Sequence, residues 1–185
     1  MGLTTYGKKI LTTNESNPHD PDGYLKRLYE KVPELDENTK MYLIESIQTF
    51  QKNSFMASAI MLGVACESVF NIIYDTLLDS IESEKIKKSL EQIRNSAKTK
   101  QRIDLVRNII LVSKKDQFPR EITDDFESKT EPLFNLIRQI RNDVGHPTGI
   151  SIDKMSQFVN LQIFVPYAIT AYTLINFLKS KSDPI

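Results

Sequence analysis

In the C-terminal third of the chain, the string RNDVGHP at residues 141–147 brings together side chains with complementary chemistry. Arg141 carries a permanent charge in a planar fork that can grip two phosphate oxygens at once. His146, with an unperturbed pKa of about 6.5, can give or take a proton near neutral pH. Asn142 offers an amide that can hold the helix end or a substrate. On an unbroken helix, five steps of about 100° would leave Arg141 and His146 about 140° apart, too far round to cooperate. The helix is expected to stop, however, because Gly145 can take positive φ and Pro147 biases His146 away from helical geometry. That break lets His146 fold back towards Arg141. The alternative is plainer: Arg141 caps carbonyls at a helix end while His146 sits in the turn.

RNA suits such a pair because its 2′-OH is a built-in nucleophile. Cleavage then needs a base, an acid for the leaving 5′ oxygen, and a cation for the charged phosphorane. The single histidine of this string supplies one proton transfer, and a two-fold dimer supplies two. No zinc-finger cluster is available, since the whole chain has one Cys and two His.

Positioning this pair requires a helix that ends at Gly145. Leu133, Leu136, Ile137, Ile140 and Val144 form its apolar stripe, with Arg141 on the flank. The sequence TDD from Thr123 predicts its cap and first turn, and Pro132 interrupts it early. Upstream, residues 1–22 read as an irregular arm ending in a turn, and 23–181 as one helical domain. His19 lies between Pro18 and Asp20, but a PHDPDG segment offers no rigid metal geometry. A short helix from Tyr24 to Lys31 stops at Pro33, and Asp36 predicts the cap of a helix carrying Ile44, Ile47 and Phe50.

From Ser54 to about Ile81 the pattern is helical and heavily apolar, with FMASAIMLGVAC running 12 residues without a charge. Such a helix belongs at the centre of a bundle. Glu67, Asn71 and Asp75 then recur at every fourth residue as one polar stripe. Either this stripe faces water, or Glu67 enters a site as an orienting partner for a cation. Cys66 reads as a buried small hydrophobe. Two further helices are expected between Glu84 and Ser113, one using Ile86, Leu90 and Ile93, the other Ile103, Val106, Ile109 and Ile110.

The 24 basic and 24 acidic side chains cancel, yet residues 84–120 carry a net +7 against −5 before them and −2 after. This basic block is either a solvated helix face or the footprint of a polyanion, with Lys100, Arg102 and Arg107 as candidate RNA contacts. Met155 to Leu178 is 24 residues without a formal charge, long enough to cross a bilayer. Its eight polar or proline residues argue instead for a core helix with one proline kink. With a lone Cys and no signal-peptide core behind MGLTTYGKKIL, the expected compartment is the cytoplasm.

Arg141, Asn142 and His146 in RNDVGHP resemble the R-x(4-6)-H signature of the HEPN superfamily, the "higher eukaryotes and prokaryotes nucleotide-binding" helical domains. Four residues separate Arg141 from His146, and an Asn directly after the Arg is frequent in that pattern. The resemblance covers roughly residues 36–180. It implies an all-α bundle of about five to seven helices with long central helices. It further implies a homodimeric, metal-independent endoribonuclease without cofactor, of toxin or antiphage-defence type, with RNA as substrate and an antitoxin or regulatory protein as partner. Arg141 and His146 would be catalytic, with Asn142 and Glu67 in support. Family members modified on a tyrosine carry it two residues after the His, where this chain has Thr148. Other members keep the fold and bind nucleotides, RNA or proteins without cutting, so a non-catalytic helical module is the alternative.

Overall fold

A computed structural model describes residues 17–94, 99–113, 117–126 and 152–182. Every regular element among them is helical: α1 (Pro21–Lys31), α2 (Glu37–Gln51), α3 (Phe55–Ser80), α4 (Glu84–Arg94), α5 (Thr99–Asn108), a π-helical turn (Ile109–Ser113), α6 (120–126) and α7 (Lys154–Ser182). The fold is an all-α bundle. The helix expected over the 133–144 stripe lies outside the described residues.

α1 begins at Pro21, ahead of Tyr24, because Asp20 accepts from the Gly23 N–H at 3.1 Å and a proline at the first position needs no donor. Gly23 leaves room for this cap, since a Cβ there would meet the Asp20 carboxylate and push it from its capping position. Asp36 caps α2 as expected, accepting from the Thr39 N–H at 3.0 Å. Its backbone N–H donates to Tyr172 Oη at 2.9 Å, and the Tyr172 hydroxyl donates to Asp36 Oδ2 at 3.2 Å. The start of α2 is thereby pinned to α7.

α2 turns into α3 through residues 52–54. Asn53 sits in the left-handed region at φ 59°, its N–H donates to Phe50 O, and Ser54 N–H reaches back to Thr49 O. That is the double-bonded helix ending which an asparagine tolerates better than most residues. Across this hairpin Ser46 and Ser58, both fully buried, exchange hydroxyls for carbonyls: Ser46 Oγ donates to Ser58 O at 2.7 Å and Ser58 Oγ to Ser46 O at 2.8 Å. Gln157 of α7, also fully buried, donates Nε2 to Ser58 Oγ at 2.8 Å. Three helices are thus joined by a buried polar knot with its donors satisfied.

α3 is the centre, packed mainly against α2 and α7, with Leu62, Ala65, Cys66, Val69, Phe70 and Ile73 fully buried. Each large apolar side chain buried this way contributes about 1.5–3 kcal/mol. Tyr24 Oη donates to Leu161 O at 2.7 Å and Tyr167 Oη to Cys66 O at 3.0 Å. Burial pushes both phenols and the Cys66 thiol well up, so Cys66 stays a neutral packing group.

α6 starts three residues before Thr123. Pro119 provides the carbonyl for the first helical bonds, from Ile122 and Thr123, and the Thr123 hydroxyl turns back to Arg120 O inside the helix. Thr123 is therefore a buried helical residue rather than a cap. α7 is capped by Asp153, which accepts from the Ser156 N–H and hydroxyl, each at 2.9 Å, and it continues past an exposed Pro166. By length and composition α3 and α7 could each cross a membrane; 50% and 56% of their apolar windows are buried inside the protein.

Two outcomes follow from these contacts. Gln157→Leu keeps the volume but strips the buried Ser58 oxygen of its donor, and should lower unfolding free energy by about 1–3 kcal/mol in urea denaturation. The Ser156 N–H and hydroxyl hold the Asp153 carboxyl below the usual carboxylate range. A lowered folded pKa gives stability that is complete above the unfolded value and lost as pH falls through the folded one. The stability difference between wild type and Asp153→Ala should therefore be largest near neutrality and shrink as pH falls below the ordinary carboxylate range and through the lowered folded-state value.

Candidate functional site

The polar stripe of α3 is where the basic segment meets the core. Asn71 Oδ1 accepts from Arg102 of α5 at 2.7 Å, and one turn on, Asp75 pairs with Arg94 of α4 at 3.0 Å. The Arg102 guanidinium lies 4.8 Å from the Tyr74 ring centroid and 5.4 Å from that of Phe70. A guanidinium over aromatic faces is held by the ring quadrupoles. Its Nε is buried without a hydrogen-bond partner, so one bond and two rings hold this side chain. Tyr74 Oη in turn donates to Leu90 O, fastening α4. Burial raises the Tyr74 phenol, and the neighbouring Arg102 and Arg94 pull it partly back.

The stripe expected either to face water or to orient a cation thus takes two arginines of the chain itself. Glu67, one turn before Asn71, is half-buried and engaged. Of the three candidate RNA contacts, Lys100 is exposed near the start of α5, Arg102 is half-buried as described, and Arg107 is half-buried and engaged. Arg107 lines a cleft of about 440 Å³ with Asp104, Asn108, Leu111, Val112 and Asp124, where α5 widens into its π-helical turn. A π-helical turn often marks a functional position, because the extra residue re-aims the side chains around it.

Arg141, Asn142 and His146 lie outside the described residues. The structure brings Asn71, Asp75, Arg94 and Arg102 together; Lys100 takes no part in that cluster. The Tyr74 and Phe70 platform was not legible as a cation seat. Its signal was the i, i+3 and i, i+4 spacing of Phe70, Asn71, Tyr74 and Asp75, which sets aromatic and polar groups side by side on one helix. Among the described residues no three His, Cys, Asp or Glu side chains converge on a common point to hold a metal ion. The His19 ring packs 5.3 Å from Phe50 and 5.6 Å from Phe158, and the adjacent Asp20 is used as a cap.

Arg102→Ala should destabilise the fold by about 1–2 kcal/mol, and Arg102→Lys should recover little of it because a compact ammonium cannot reproduce the planar stack. Lys100→Ala should leave the unfolding midpoint unchanged, so thermal melts of the three variants separate the internal arginine from the exposed lysine. No family model, curated protein or solved structure matches the chain.

Proposed function

We propose that the chain is a metal-independent endoribonuclease of HEPN type, acting in the cytoplasm as a homodimeric toxin or antiphage-defence effector. The observation that carries this reading is the string RNDVGHP, in which Gly145 and Pro147 are expected to break a helix between Arg141 and His146, in a chain whose described part is an all-helical bundle. In the proposed step a base removes the 2′-OH proton and O2′ bonds to phosphorus. The P–O5′ bond then breaks, and an acid returns a proton to O5′, leaving a 2′,3′-cyclic phosphate and a 5′-OH. His146 of each protomer takes one of the two proton transfers. Arg141 neutralises the phosphorane oxygens, and side chains must do this because the dipole at a helix C-terminus is unfavourable to anions.

Asn142 holds the helix end or the substrate. Glu67 is the orienting partner of Arg141 in this reading, supported by its half-buried place on the central helix. RNA binding through the basic block would fall on the exposed Lys100 more than on Arg102, whose guanidinium is spent on Asn71 and Tyr74, or on Arg107, which is half-buried and engaged. An antitoxin or regulatory protein belongs to the same proposal. The second reading is a non-catalytic helical module that binds a partner or dimerises through the same helices.

Purified protein should cleave a mixed RNA substrate in EDTA and leave 2′,3′-cyclic phosphate ends. His146→Ala should lower the rate by about 10²-fold or more, with the fold intact by circular dichroism. Equal cleavage by wild type and mutant, or none by either, removes His146 as the catalytic group and favours the non-catalytic module.

A further inference from the structure

α7 turns one uncharged face outward. Met155, Val159, Gln162, Pro166, Ile169 and Thr173 recur at alternating steps of four and three, the spacing that keeps one stripe of a helix towards a neighbouring helix. Met155, Pro166 and Thr173 are exposed, and the three between them are half-buried. No formal charge interrupts Met155 to Leu178, although the outer face of a helix is normally where charges collect.

The two ends of this stripe are a knob and a hole. Met155 stands in solvent at 67% exposure. Farther along, Thr173 borders a half-open groove of about 280 Å³ between α6 and α7, walled by Ile122, Ile169 and Phe177. Phe118 backs the Phe177 ring at 5.7 Å, which fixes that wall. From Met155 to Thr173 the helix makes about five whole turns, so both lie on the same side, about 27 Å apart along the axis. A continuous helix holds them at that distance, and Met155 cannot enter the groove of its own chain.

We propose that a second copy of the chain docks on this face, with its α7 antiparallel to the first across a two-fold axis near Pro166, so that Met155 of each copy fills the groove of the other. Residues equally spaced about Pro166 then meet, Met155 with Phe177 and Val159 with Thr173, which is the closed, self-matching geometry of a two-fold interface. Methionine suits the task, because its unbranched thioether adapts to an irregular gap and its sulfur packs well at an aromatic edge. At roughly 30 Å³ for each of its four side-chain heavy atoms, Met155 needs about 120 Å³, well within the groove. Close to a two-fold axis each group meets its own image, so a charge there would face its like, and this stretch of α7 has none. A parallel pair would set Met155 on Met155 and leave both grooves open. The stripe is about 34 Å long and, with the rim of α6, about 15 Å wide, so two copies bury about 1,000 Å² in total. That area is at the lower limit for a specific interface and implies a reversible dimer. The inference does not rest on RNA cleavage: His146→Ala should dimerise like wild type, and a protein that dimerises here without cutting RNA leaves it standing.

Analytical ultracentrifugation of the full chain from about 1 to 200 µM should show a monomer and dimer in equilibrium, with a Kd of roughly 1–100 µM. Met155→Glu drives a carboxylate against the apolar groove and should weaken the dimer about tenfold or more. Met41→Glu, at a methionine of α2 that is 50% exposed, should leave it unchanged. A mixture of Met155→Cys and Thr173→Cys chains should form a cross-linked dimer with a short bis-maleimide. Met155→Cys alone should not, because its two thiols lie about 33 Å apart in the antiparallel pair. Cys66 is fully buried and takes no part. A monomer throughout that range, a dimer that tolerates Met155→Glu, or Met155→Cys chains cross-linking to themselves overturns the proposal. So does a monomer that partitions into phosphatidylcholine vesicles through this face. Should Met155→Glu fail to fold, the cysteine pair decides by itself.

Discussion

A 26-residue helix whose first 12 residues carry no charge cannot stand in water alone, and the rest of the bundle is arranged around covering α3. α2 reaches it through a three-residue turn, and α7 closes over it from the far end of the chain. Small residues on α3, among them Ser58, Ala59, Ala65 and Cys66, are fully buried and let the neighbouring backbones come close. Hydrophobic burial is non-directional, so apolar area alone would not choose one register for these three helices.

Direction comes from polar groups buried at the contacts. Ser46, Ser58 and Gln157 can meet their hydrogen-bonding needs together in only one alignment of α2, α3 and α7. Tyr24, Tyr167 and Tyr172 each bond a backbone group or cap on another helix, so four elements share one set of distances. Sliding one helix by a turn would leave several of these groups buried and unpaired, each at a cost of about 1–3 kcal/mol. The peripheral helices follow the same logic with charge, as Arg94 and Arg102 fasten α4 and α5 to the polar end of α3.

Legibility in the sequence tracks how local the cause is. Asp36 as a cap, α3 over the apolar run, the separate α4 and α5, and α7 as a core helix all follow from periodicity and capping within a few residues. α6 was misplaced by three residues because TDD looks like a cap, whereas the carbonyl of Pro119 starts the helix and Thr123 turns inward. Arg102 carries an ambiguity of another kind. A cation in a basic block reads equally well as solvated or polyanion-binding, until a partner 31 residues away is found to hold it.

The sequence by itself determined that the described part of the chain is helical around a central helix whose first 12 residues carry no charge, and it set Arg141, Asn142 and His146 in one string with Gly145 and Pro147. Those features depend on spacing along the chain, which three or four neighbouring residues specify. Only the tertiary structure decided which charges are spent inside the protein. It put Arg102 on Tyr74, Arg94 on Asp75 and Gln157 on Ser58. Each of these joins residues far apart in the chain, and the choice of partner depends on the packing of whole helices, which no local window contains.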